Sequence, residues 1–223
     1  MSQPFADRRQ AGRLLARRLA AYAQRRDVIV LALPRGGVPV GHEVASALGV
    51  PFDVFIVRKI GVPWNEEVAI GAVASGGEWL LDTASIRDLR ISRDEVARLT
   101  TKAVRELDRR ERLYRGHRPP LELYGKIVIL VDDGLATGAS MLAAVKAVRH
   151  QSPSAIVVAT PVAPESTCLA LRAVADACLA LEHPSPFYGV GRHYMDFTQT
   201  SDEEVLALLA QPTTQRTVAA ATR

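Results

Sequence analysis

The stretch Lys126-Ile127-Val128-Ile129-Leu130-Val131-Asp132-Asp133-Gly134-Leu135-Ala136-Thr137-Gly138-Ala139-Ser140-Met141 decides how the rest of the chain is read. It begins with an apolar run rich in β-branched residues, the composition of a buried strand, and stops at two adjacent acids. A loop of small residues follows, and from Met141 the apolar residues recur at helical spacing, at Leu142, Val145 and Val148. The predicted order is strand, loop, helix. A loop at the carboxyl end of a buried strand that opens a helix gathers unpaired backbone N–H groups at the positive end of the helix dipole, which suits a phosphate dianion. Gly138, Ala139 and Ser140 are small enough to let an anion approach the main chain, and the Thr137 and Ser140 hydroxyls add two donors. Asp132 and Asp133 would repel that phosphate, so they are expected to face hydroxyl groups or a metal beside it. A sugar phosphate meets both demands. The competing reading is a plain turn in which the two acids cap a helix.

The same plan recurs near the start of the chain. Val28 to Leu33 reads as a short buried strand, followed by Pro34-Arg35-Gly36-Gly37 and a helix from Val38 to Leu48, a second anion cradle at the same edge of a parallel sheet. Phe52 to Val57 is the next strand, ending in Arg58-Lys59, and further strands run from Ala155 to Pro161 and from Ala177 to Leu181. Helix-linked strands beginning at 28, 52, 126, 155 and 177 predict a single α/β domain, a mostly parallel five-stranded sheet flanked by helices. From Ile60 to Leu81 the pattern loosens: Gly61 to Glu67 reads as a mobile loop, and Val68–Ser75 with Glu78–Leu81 as a hairpin across Gly76-Gly77. Ser92 opens a long charged helix by a capping box with Glu95, and its alternating acids and bases read as an exterior, salt-bridged face. Residues 5–26 predict a basic amphipathic helix whose seven arginines, without interleaved aromatics, read as a solvated face rather than a nucleic-acid surface. Ser201 and Glu204 form a second capping box, and 211–223 is expected to be a frayed tail beyond a domain of residues 1–210.

Hydrophobic residues at 48% and charged ones at 23% are ordinary for a globular chain, and 223 residues suffice for a full core. The net charge of +4 fits an anionic small substrate as well as nucleic acid. Cys168 and Cys178 lie in apolar stretches and read as buried thiols of a reducing compartment; the five histidines lack metal-ligand spacing. No apolar signal core or membrane-length run is present, so a soluble, cytoplasmic protein is expected. Phe187 to Phe197 holds four of the ten Phe and Tyr residues, which calls for either stacking on a flat heterocycle or packing onto the sheet.

Val131-Asp132-Asp133-Gly134-Leu135-Ala136-Thr137-Gly138-Ala139-Ser140 resembles the phosphoribosyl pyrophosphate signature of type I phosphoribosyltransferases, departing only at Ala139, where Gly is more usual. The resemblance implies that the signature acids Asp132 and Asp133 hold the ribose hydroxyls and that the loop Ala136-Thr137-Gly138-Ala139-Ser140 holds the 5-phosphate. It implies that Arg35-Gly36-Gly37 binds pyrophosphate, with a non-proline cis peptide between Pro34 and Arg35, and that Arg58 and Lys59 face the same group. A small hood over the reacting centre would come from residues 60–81, where Glu66 or Glu67 either contacts substrate or is a surface acid. Phe187 and Asp196 are the weak base-binding candidates, since their spacing differs from that of purine-type members. The implied activity is transfer of a phosphoribosyl group to a nitrogenous base or amine in nucleotide metabolism, with magnesium carried by the substrate and contacting Asp132 and Asp133 through water. The family's habit implies a homodimer; neither a membrane nor a nucleic acid is expected as partner. Ala136 stands where 6-oxopurine members carry Asp, which leaves adenine, a pyrimidine or another amine as acceptor. A sensor of the same ligand without turnover, and a Rossmann-like domain for another phosphorylated ligand, are the alternatives.

Overall fold

The structure, a computed structural model, describes residues 3–116 and 118–213, with the side chains of Glu66 and Glu67 outside that description. Helix α1 (Arg8–Arg18) starts at the N-cap Asp7, whose carboxylate accepts from the Gln10 amide, and it ends earlier than its sequence pattern implies, in a 3₁₀ turn over Ala20–Tyr22. Strand β1 (Val28–Ala32), helix α2 (Gly37–Leu48) and strand β2 (Phe52–Val54) follow. After them come β3 (Val57–Val62), β4 (Asn65–Ala74), β5 (Glu78–Leu81), α3 (Thr83–Asp88) and the long α4 (Arg93–Tyr114). The second half runs β6 (Ile127–Val131), α5 (Ala139–His150), β7 (Ala155–Val162), α6 (Glu165–Arg172), β8 (Ala177–Glu182) and α7 (Asp202–Ala210).

Five strands form one sheet in the order β2-β1-β6-β7-β8, every neighbouring pair parallel. Strands covered by helices on both faces must be apolar throughout, and Val128 to Val131 and Ile156 to Val162 are buried without interruption. One face packs with α5 and α6 through Leu130, Met141, Val145, Val158 and Cys168; the other packs with α1 and α2 through Leu15, Val44, Ile129 and Val131. Cys168 and Cys178 are buried free thiols with sulfurs 3.1 Å apart. Among the described residues no helix is long and apolar enough to cross a membrane.

The hood is more regular than its sequence. Strands β3, β4 and β5 make a small antiparallel sheet, and the stretch read as a mobile loop from Gly61 to Glu67 is the end of β3, a tight turn at Pro63-Trp64 and the start of β4. Gly61, Pro63 and Asn65 are loop formers by propensity. Burial of Ile60, Val62 and Ile70 against Leu99, Ala103 and Leu107 of α4 overrides that preference. The core strand expected over Phe52–Val57 breaks at Phe55-Ile56, where Ser75 takes over: its hydroxyl accepts from the Ile56 amide at 2.9 Å and its own amide donates to the Ile56 carbonyl at 2.8 Å. Arg58 and Lys59 therefore belong to a hood strand and do not end a core strand. Ser92 caps α4 and Ser201 caps α7, each hydroxyl accepting from the amide three residues on. Residues 214–223, most of the expected tail, lie outside the described residues.

Candidate functional site

Strand β6 is central in the large sheet, and it stops at Val131, so Asp132 and Asp133 emerge at the sheet's carboxyl edge between two loops. On one side the chain leaving β1 crosses directly over them. A Cβ on Gly36 would stand 2.1 Å from an oxygen of Asp133, and a Cβ on Gly37 would stand 2.8 Å from the Val131 carbonyl oxygen and 2.9 Å from Asp132 Cα. Glycine is needed at both positions because the loop and the acids touch. The Pro34–Arg35 peptide is cis.

On the other side Gly138, at φ +71°, is the N-cap of α5, and it has no side chain with which to occupy the first-turn amides. The loop is clamped from below by Thr167, whose hydroxyl donates to the Ala136 carbonyl at 2.7 Å. Ala136, Thr137, Ala139 and Ser140 are exposed, so the upper surface of the loop is open to an anion. Thr137 Oγ1 stands 3.4 Å from the Ala139 amide, a long contact that an incoming oxygen can replace.

The acids are only partly exposed. Arg8, in the first turn of α1, places Nε 2.7 Å from Asp133 Oδ2, and both side chains are nearly buried, 11% and 13% exposed. Its guanidinium stacks 4.0 Å from the Phe197 ring centre and donates to the Thr198 carbonyl at 2.8 Å. Tyr194 donates its hydroxyl to the Asp133 carbonyl at 2.6 Å, and Val190 fills the space above Gly134. Burial pushes the carboxyls of Asp132 and Asp133 up, Asp132 well above the usual carboxylate range with the charge of Asp133 adding to it; Arg8 opposes the rise at Asp133.

A raised carboxyl pKa lowers stability: the cost is absent below the unfolded value, grows as pH rises from the unfolded to the folded value, and is complete above it. Asp132→Asn keeps an oxygen to accept from the Asp133 amide, now 2.9 Å from Asp132 Oδ1, and removes the buried charge. The expected outcome is a protein melting a few degrees higher at pH 7, by about 1 kcal/mol, with the difference fading in acid. Scanning calorimetry at pH 7 and pH 4 checks it, and a lower melting temperature at pH 7 would sink the idea.

The remaining candidates are dispersed. Arg35 turns to the start of α7, with Nη1 3.6 Å from Asp202 Oδ1, an oxygen that also accepts from the Tyr114 hydroxyl at 2.6 Å. Arg58 keeps its Nε buried without a partner. Phe187 stacks on His193 at 5.9 Å, while Asp196 is exposed and accepts from the amide and hydroxyl of Thr198. Tyr194 is the aromatic that bonds to the acid pair, and Phe197 joins it through Arg8. The side chain of Glu66 lies outside the described residues. Sequence reasoning missed Arg8, because nothing in a run of seven arginines marks the one that folds inward; the aromatic enrichment did flag the segment holding Tyr194 and Phe197.

Among the described residues no three acids, histidines or cysteines come together as a metal cage. Two adjacent carboxylates are hard oxygen donors of the kind that suit magnesium arriving on a diphosphate, which needs one or two protein ligands and keeps its waters.

Comparison with known proteins gives the family of the chain. The family model described as "Phosphoribosyl transferase domain" matches residues 7–194. Two relatives from Mycobacterium tuberculosis, MT0597 of strain CDC 1551 / Oshkosh and Rv0571c of strain ATCC 25618 / H37Rv, carry provisional phosphoribosyl transferase names. Each is 42% identical over 205 residues. The match takes in 92% of this chain and 46% of each relative, so the chain spans about half the length of the curated relatives it matches. The crystal structure of TT1426 from Thermus thermophilus superposes with a TM-score of 0.82 at 43% identity, covering 93% of this chain and 98% of that one.

Proposed function

The chain belongs to the phosphoribosyl transferase domain family, and on that premise we propose that it moves a 5-phosphoribosyl group from phosphoribosyl pyrophosphate to a small nitrogenous acceptor, releasing pyrophosphate. The observation that carries this reading is the carboxylate pair at the end of the central strand, set between the glycine loop that follows β1 and the small-residue loop that opens α5. A sugar with phosphates at both ends and hydroxyls in the middle matches that order of groups.

In the proposed reaction the acceptor nitrogen's lone pair forms the bond to C1 while the C1–oxygen bond breaks, its electrons leaving on pyrophosphate; the acceptor's proton goes to solvent or to the leaving group. Asp132 and Asp133 orient the ribose by accepting from its hydroxyls, and a positive sugar ring in the transition state is favoured beside two carboxylates. The exposed amides and hydroxyls of residues 136–140 hold the 5-phosphate, and the main chain at Gly36 and Gly37 approaches the diphosphate. Magnesium, when bound with the diphosphate near Asp132 and Asp133, neutralises charge on the leaving group. Before ribose can reach Asp133, the Arg8 guanidinium must share that carboxylate or swing off it, which makes Arg8 a positioning residue of the site. The exposed Ala136 leaves no acid on the loop to act as a base toward the acceptor ring.

Asp133→Asn and Thr137→Val are each expected to weaken binding of phosphoribosyl pyrophosphate with magnesium at least tenfold by calorimetry. Unchanged affinity in both would remove the site assignment. Pyrophosphate release over a panel of purines, pyrimidines and simple amines tests turnover; tight binding with no release from any of them would make the protein a sensor of the same ligand.

A further inference from the structure

Between β3 and α4 runs a cleft of about 1160 Å³ that reaches Ser140 at the phosphate loop. One wall is β3, with Arg58 and Lys59; the other is α4, which presents Arg98, Lys102, Arg105 and Arg109. Steps of four, three and four residues put those cations on one stripe of the helix, roughly 16 Å long at 1.5 Å per residue. The stripe runs beside the apolar row Leu99, Ala103 and Leu107 that packs α4 onto the hood, so the cations border the contact between the two elements.

Among the described residues six cations line the cleft against one acid, Glu106; of the six, Lys59 already has an interaction of its own. That acid is committed: it takes Arg109 at 2.9 Å and Arg110 at 2.9 Å, which hold its carboxyl down at about 2. Arg98 is paired with Glu95 at 2.6 Å. Lys102 and Arg105 have no acid partner among the described residues, and Arg58 Nε is buried with none. Cations gathered in a groove with low-dielectric walls repel one another and concentrate anions. Neither Asp132 nor Asp133 lines this cleft, so the sugar of the proposed transfer reaction lies elsewhere. The walls are in apolar contact below, which leaves a slot suited to a chain of phosphates rather than a nucleic-acid duplex.

We propose that the cleft between β3 and α4 is a binding site for a phosphorylated small molecule with two or more phosphate groups, gripped by Lys102 and Arg105 and separate from the sugar held at Asp132-Asp133. It meets the proposed transfer site at Ser140 but does not need that reaction to occur.

The test is calorimetric titration of the full chain with tripolyphosphate, and separately with phosphoribosyl pyrophosphate plus magnesium, at fixed ionic strength. Lys102→Ala/Arg105→Ala is expected to weaken tripolyphosphate at least tenfold and to leave phosphoribosyl pyrophosphate within threefold. Asp133→Asn is expected to do the reverse. Both replaced cations are exposed, and matching thermal melts of the double variant and the parent establish that the fold is kept. Three results overturn the proposal: no tripolyphosphate binding by the parent chain, binding untouched by the double variant, or both ligands falling in step. Sulfate competing as well as tripolyphosphate at equal charge also overturns it, by reducing the effect to screening. Tripolyphosphate bound normally with phosphoribosyl pyrophosphate not bound at all would support the cleft and defeat the transfer reading.

Discussion

Arg8→Ala is expected to destabilise the protein by about 3 kcal/mol at pH 7, the low end of what removing one partner of a buried ion pair costs. The low end applies because Arg8 and Asp133 keep 11% and 13% of their side-chain surface. The loss has two parts. Without the guanidinium, Asp133 is left beside Asp132 with burial already pushing its carboxyl up. The stacking on Phe197 at 4.0 Å disappears as well. They separate by pH and by a second substitution. The first part exists only while Asp133 is ionised, so the deficit should shrink as pH falls through the folded-state value and the carboxyl takes up a proton. In an Asp133→Asn background no charge is left stranded, and Arg8→Ala should then cost only about 1 kcal/mol, from the lost stacking and packing. Arg8→Lys should fall between, since an ammonium keeps the charge but cannot reproduce the planar stack and the Nε contact together. Urea unfolding at pH 7 and pH 4.5 measures the parent and the four variants. An equal loss at both pH values and in both backgrounds would show that Arg8 acts through packing alone.

That coupling was the part of the site hardest to read from the sequence. Periodicity exposed the five core strands, because a strand covered on both faces must be apolar along its length, as Val128 to Val131 is. The acid pair and the small-residue loop after it were legible as a candidate site because they are consecutive residues, and consecutive residues are what a sequence displays. Arg8 and Asp133 lie 125 residues apart. Their meeting depends on how α1 packs over the sheet, and no local pattern records that. Hood strand β3 was misread for a related reason. Gly61 and Pro63 break a strand by propensity, and Ile60 and Val62 hold it through partners on α4 some 40 residues later. The alternating charges of α4 read correctly as exposed, yet their sorting into a one-sided row of cations became visible only once β3 supplied the opposite wall.

Gly36→Ala should weaken phosphoribosyl pyrophosphate binding about a hundredfold, roughly 2.8 kcal/mol at 1.4 kcal/mol per tenfold, while leaving the local backbone unstrained. Gly36 has φ −57° and ψ −35°, a conformation any residue adopts, so the methyl group acts only through what it touches. What it touches is the carboxylate of Asp133, at 2.1 Å from Oδ2 and 2.6 Å from Cγ, distances at which the carboxylate has to move. Oδ2 is the oxygen held by Arg8 at 2.7 Å, so moving it breaks the ion pair and carries the carboxylate away from where ribose hydroxyls would meet it. A double-mutant cycle isolates this route. In an Asp133→Ala background the obstructed atoms are gone, and adding Gly36→Ala should change affinity by less than about threefold, the non-additivity expected of two residues in contact. Gly37→Ala supplies the contrast, because its methyl would meet the Val131 carbonyl oxygen at 2.8 Å and Asp132 Cα at 2.9 Å, main-chain atoms that Asp133→Ala does not remove. Gly37→Ala should therefore impair binding in both backgrounds. If Gly36→Ala did the same, the loop would be acting on the ligand directly, and its role as the wall that sets the Asp133 carboxylate would have to be abandoned.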